Sequence, residues 1–260
     1  MLRFIFILFF VFSVLVEGTA QIRLTTLTVG PNEVFELQNT DVMVVDTLIL
    51  HDSSRIILNT LKKDNFIHLK KLIVGRGSAI VGKGAPGIPG TVGLSASTPG
   101  GPCRDGTTGQ PGTMGTTGTN GVNLFLYLDE LLVKGNLVID LAGGDGGDGG
   151  KGGNGGDGNT GTRLCQGGNG GDGGGGAAGG RGGQGGNLTI TSTYGANLRN
   201  MMGEKIIVRS YGGFGGIGGE GGTGGQCGLS PSKDGDQGRK GQAGLQGKTG
   251  KPGGIFYVQK

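Results

Sequence analysis

The sequence predicts an all-β chain with much irregular backbone: a small β-solenoid displaying three stacked glycine-rich hairpin arms of the polyproline II type. Glycine supplies 65 of the 260 residues and recurs at every third position through three tracts, beside only 8 prolines. A strict period of three marks extended left-handed helices, and proline lies far below the collagen level. Cys103, Cys165 and Cys227 fall in the central breaks of the three tracts at 62-residue intervals. A repeat that regular means one structural unit used three times. Between the tracts, apolar residues gather in short β-branched runs separated by turn residues, which is the pattern of stacked strands.

Residues 1–20 read as a secretory signal. Arg3 is the positive head, Phe4 to Val16 the apolar stretch, and Gly18-Thr19-Ala20 a small-residue cleavage site. Export places the cysteines where they can pair. The base of the solenoid occupies residues 21–83, with runs such as Val42-Met43-Val44-Val45, Phe66-Ile67-His68-Leu69 and Leu72-Ile73-Val74 parted by Pro31-Asn32, Asp52-Ser53-Ser54 and Asp64-Asn65. The first arm spans 84–121, a solenoid coil 122–142, the second arm 143–186, a further coil 187–211, the third arm 212–253 and a closing strand 254–260. Each interval between arms has the length of one coil, so every arm should leave the solenoid at an equivalent corner. A β-sandwich is the competing reading of the strands.

A threefold extended chain has no internal hydrogen bonds, so its N–H and C=O groups need neighbours or water. Glycine is required wherever another backbone comes close. Both halves of the second arm are mostly Gly-Gly-X, as in Gly143-Gly144-Asp145 and Gly182-Gly183-Gln184, so two of their three faces meet neighbours. The first arm and the return of the third are Gly-X-Y, as in Ala85-Pro86 and Arg239-Lys240, with one such face. The expected order across the bundle is outer, central, outer.

Runs of Gly-Gly-X and Gly-X-Y triplets with turns between them, at Gly84–Gly121, Gly143–Gly186 and Gly212–Gly253, resemble the polyglycine II bundles of springtail antifreeze proteins and of bacteriophage tail-tip adhesins. The resemblance covers about half of the chain and concerns architecture. The antifreeze bundles have no solenoid, and the adhesins have a different carrier and no signal peptide. It implies a rigid collagen-like bundle within one chain, and it transfers no site residue.

No catalytic, cofactor or metal-ligating pattern is visible. His51 and His68 sit in β-like runs without a partner motif, and Gly247-Lys248-Thr249 lacks the glycine and the strand that a phosphate loop requires. Asp145, Asp148 and Asp157 share one row of the second arm and read as a solvated polar edge rather than a calcium site. A net charge of +4 with both signs interspersed excludes a nucleic-acid stripe. No segment after the signal could cross a membrane.

The expected protein is secreted, non-enzymatic and structural or adhesive, with an unknown cell-surface or matrix partner. Its candidate recognition residues are at the tips: Arg104, Asp105, Arg163, Leu164, Leu229 and Lys233. Cys165, on the central arm, should pair with Cys103 or Cys227, leaving one thiol for a disulfide-linked dimer. The alternative is ice binding through an uncharged row on an outer helix, Thr107, Thr113, Thr116 and Thr119. A collagen-like trimeric matrix protein and a solenoid carbohydrate lyase come after it.

Overall fold

The computed structural model describes residues 21–192 and 200–259. The signal-peptide expectation over residues 1–20 lies outside the described residues. Eleven strands run β1 (Ile22–Val29), β2 (Val34–Glu36), β3 (Val42–Leu50), β4 (Arg55–Ile57), β5 (Asp64–Val74), β6 (Ser78–Val81), β7 (Asn123–Val133), β8 (Leu137–Asp140), β9 (Leu188–Ser192), β10 (Ile206–Arg209) and β11 (Ile255–Gln259). Odd-numbered strands form a six-stranded sheet in the order β1-β3-β5-β7-β9-β11; even-numbered strands form a five-stranded sheet, β2-β4-β6-β8-β10. Every strand pair is parallel. The chain therefore winds as a solenoid, with one strand in each sheet per coil. A sandwich of antiparallel strands is ruled out by that pairing.

Period-two alternation selects the inward residues. Met43, Ile67, Leu126 and Ile190 form one column of the larger sheet, and Ile56, Ile80 and Ile139 form one of the smaller. All seven are buried. Each such side chain contributes about 1.5–3 kcal/mol on leaving water. On the outer surface of the larger sheet the same register stacks Phe66 on Phe125 and His68 on Tyr127, with ring centroids 4.9 and 4.1 Å apart. Asn32, Ser53 and Gly77 turn the same corner of three successive coils, each with φ near +60°. His51, expected within a strand, lies at this exposed corner just past β3.

The arms leave after β6, β8 and β10 and return before β7, β9 and β11, so all three spring from one edge of the solenoid. Their outgoing segments lie side by side. Gly87, Gly90 and Gly93 donate to the carbonyls of Asp145, Asp148 and Lys151, and Gly146, Gly149 and Gly152 donate to those of Phe214, Ile217 and Glu220. The returning segments form a second row, with Gly109 donating to Asp172 and Gly173 donating to Arg239. Antiparallel bonds join the rows: Thr113 to Thr91, Gly150 to Thr113, Gly174 to Gly153, Gly219 to Ala177 and Gly241 to Gly222.

Both segments of the second arm consequently have four neighbours, whereas the first outgoing and last returning segments have two each. The order across the bundle is outer, central, outer. A Cβ built on Gly150 would fall on the Thr91 carbonyl oxygen, and one on Gly183 on that of Thr119. One refinement concerns the first return: it has three neighbours although only one residue per triplet is glycine, because its threonines lie along the seam with the outgoing segment.

Candidate functional site

The tips of the arms pack into one continuous end surface. In the first, Gly101 and Cys103 turn the chain with φ of 97° and 61°. The Cys103 N–H donates to the Thr160 carbonyl at 3.0 Å, and Asn159 Nδ2 donates to the Pro99 carbonyl. Cys103 and Cys165 form a disulfide, while Cys227 is unpaired and half-buried. In the second tip, Thr162 N–H donates to the Cys165 carbonyl and Thr162 Oγ1 accepts from Leu164 N–H. The third tip leans on the second: Ser230 Oγ donates to the carbonyls of Thr162 and Cys165, both at 3.2 Å.

Arg163 and Leu164 stand clear of this surface, and the Leu164 residue is 98% exposed. Leu229 and Lys233 are exposed on the third tip, where the backbone carbonyls of both accept from the second arm. Arg104 and Asp105 belong to the start of the first return rather than to a loop. The Arg104 carbonyl accepts from Asn159, and Asp105 Oδ1 accepts from Asn169 N–H at 2.7 Å.

That last contact repeats along the bundle. Glycine amides are satisfied by neighbouring carbonyls, but the amide of the X residue points along the surface and needs another acceptor. Asp145, Asp148 and Asp157 accept from the amides of Phe214, Ile217 and Gln226, each at 2.7 Å. Asn154 does the same for Thr223, and between Asp145 and Asp157 the one step without such an acceptor has Lys151 facing Glu220. The aspartate row is therefore not merely a solvated edge: it ties the second arm to the third. Among the described residues no group of three His, Cys, Asp or Glu side chains could hold a metal ion.

Asp172 and Asn169 serve Arg239 and Asp236 on the other row, and Asn120 serves Gln184. The signal for this ladder is an Asp or Asn at triplet spacing, legible only once the register between arms is known. Asp148→Ala should cost about 1 kcal/mol by removing one acceptor. Asp148→Asn, which keeps the oxygen, should cost less; thermal unfolding of both variants checks the difference.

The threonine row is engaged in the same manner. Thr119, Thr116 and Thr113 accept through Oγ1 from the amides of Ala85, Ile88 and Thr91 at 2.6–2.7 Å, and Thr107 Oγ1 donates to the Ser97 carbonyl. The residues are surface-exposed, but their hydroxyls are turned into the seam between the two halves of the first arm.

No family model matches the chain, and no curated protein does. Among solved structures, it is similar to the nine polyproline type II helical bundle springtail antifreeze protein from Granisotoma rainieri. The identity is 24%, over 57% of this chain and 93% of that one, with a TM-score of 0.12. At that score the likeness adds nothing to the fold described above.

Proposed function

We propose that the chain is a secreted, non-enzymatic structural and adhesive protein of a cell surface or matrix, presenting its tip loops on a rigid polyglycine II-type bundle. The observation that supports this most is the tip surface itself. Three turns from distant parts of the sequence are tied edge to edge by the Cys103–Cys165 disulfide and the Ser230 bonds, yet leave Arg163, Leu164, Leu229 and Lys233 exposed. Loops positioned by a rigid scaffold are where recognition concentrates. Elsewhere on the bundle, side chains such as Thr116 and Asp148 are occupied in holding neighbouring segments.

Ice binding through the threonine row draws less support, since the hydroxyls it needs already accept backbone amides. Exchanging the three tips for short Gly-Asn turns tests the adhesive reading. Attachment to matrix-coated surfaces should be lost while the circular dichroism of the bundle is retained. Undiminished attachment would sink it, and thermal hysteresis in the exchanged protein would favour the threonine row.

A further inference from the structure

We infer that the row of returning segments carries a binding site for an anionic glycan, at a groove well down the arms from the tips. The groove has a volume of about 300 Å³ and is lined by Thr117, Asn120, Arg181, Gln184, Lys248 and Lys251. No carboxylate lines it, and none of the ion pairs among the described residues involves Arg181, Lys248 or Lys251.

The acceptor ladder is interrupted at this place, as it also is at Gln242 and Leu245 opposite Gly175 and Ala178, but here cations line the gap. Asp172 caps the amide of Arg239, which is the residue whose carbonyl accepts from Gly173. By the same register Gly182 donates to Lys248 and Gly185 to Lys251, so the capping positions are Arg181 and Gln184. Arg181 has no acceptor oxygen, Gln184 makes no bond to the Lys251 amide, and Thr117 makes none to that of Arg181 although Gly118 holds the equivalent register. The amides of Arg181, Lys248 and Lys251 consequently have no protein acceptor among the described residues. At Arg181 a cation stands where the ladder elsewhere has an acceptor oxygen, beside backbone donors that the ladder leaves open.

An oxyanion from outside completes the pattern, held by charge-assisted bonds from guanidinium, ammonium and amide groups. At about 3.1 Å rise per residue, cations of successive triplets stand roughly 9 Å apart. That suits acidic groups spaced along a sugar chain better than the denser phosphates of a nucleic-acid strand, which recur about every 3.4 Å of duplex axis. Amide and hydroxyl side chains line the groove, and no aromatic ring is present on which a base could stack. Both sulfate and carboxylate fit the donors.

The site is independent of the tip reading, and the test keeps the two apart. Binding of the protein to dextran sulfate, polygalacturonate and neutral dextran is measured by biolayer interferometry as a function of salt. One or both anionic polymers should bind and the neutral one should not; the stronger of the two identifies the acid group. Lys248→Gln with Lys251→Gln should weaken binding on the order of tenfold and flatten its salt dependence. Arg181→Asp removes a cation and restores the missing acceptor, so it should abolish binding without lowering the melting temperature. Exchange of the tips should change nothing. Wild-type affinity in the double lysine variant, equal binding of neutral dextran, tighter binding of a single-stranded oligonucleotide at the same lysines, or a lowered melting temperature for Arg181→Asp would each overturn the inference.

Discussion

Gly153→Val should destroy the order of the bundle, whereas Gly175→Ala, in the same arm, should be harmless. A Cβ on Gly153 would fall on the Leu94 carbonyl oxygen, which belongs to the first arm and is not a flexible side-chain end. Nothing nearby can give way, because the first arm is itself bonded to the second at Gly90, Gly93 and Ala96. The loss should exceed about 4 kcal/mol, the range reserved for core disruption. Gly175 occupies an X position; the nearest atom to a Cβ there is the Gln242 carbonyl oxygen at 3.9 Å. With no steric penalty, alanine should be neutral or stabilise by about 0.4–1 kcal/mol through the unfolded chain. Chemical denaturation of the two variants reads the contrast. Equal effects would mean that the second arm is not enclosed on two faces.

The second large effect is expected at the tips. Cys165→Ser opens a bridge with a sequence separation of 62, and for a loop of that length the chain-entropy model assigns about 4 kcal/mol. The solenoid has its own core and should stay folded, so the melting curve should split: the arms lose cooperativity early and the β signal persists. Cys227→Ser should do little by comparison, since that thiol has no partner in the chain. A single unchanged transition in Cys165→Ser would show that the bridge contributes nothing to the arms.

Much of this architecture is legible in the residues. The excess of Gly-Gly-X triplets between Gly143 and Gly186 places the second arm at the centre, because a second glycine per triplet is needed only where a second backbone approaches. The short β-branched runs indicate stacked coils. What is not legible depends on register. Asp148 reaches the amide of Ile217, 69 residues later, only because the intervening coil and arm have the lengths they do. Local pattern carries no trace of that pairing, so Asp148 reads as a solvated residue. Thr116 reads as one member of a free surface row for the same reason, though its hydroxyl accepts from Ile88.

The choice of cysteine partner was likewise open from spacing alone. Cys103 and Cys165 sit in adjoining turns, whereas Cys227 stands on the outgoing third segment one residue after Gln226, which Asp157 caps. Equal intervals in sequence therefore do not place the three cysteines at equal heights. The cationic groove is hidden from sequence by the same dependence, since Arg181, Lys248 and Lys251 meet only through the fold.

Residue-resolved amide hydrogen exchange tests the six-segment, two-row bundle most directly. In the second arm two glycine amides per triplet should be protected, as for Gly146 and Gly147, which donate to Phe214 and Thr116. In the last returning segment the glycine of each triplet should be protected, as for Gly244 donating to Gly219, together with the capped amides of Asp236 and Arg239, while Leu245 and Lys248 exchange freely. Protection should not change on dilution, because all partners lie in one chain. One protected amide per triplet in every tract, vanishing as the protein is diluted, would instead indicate a collagen-like trimer and would contradict the bundle.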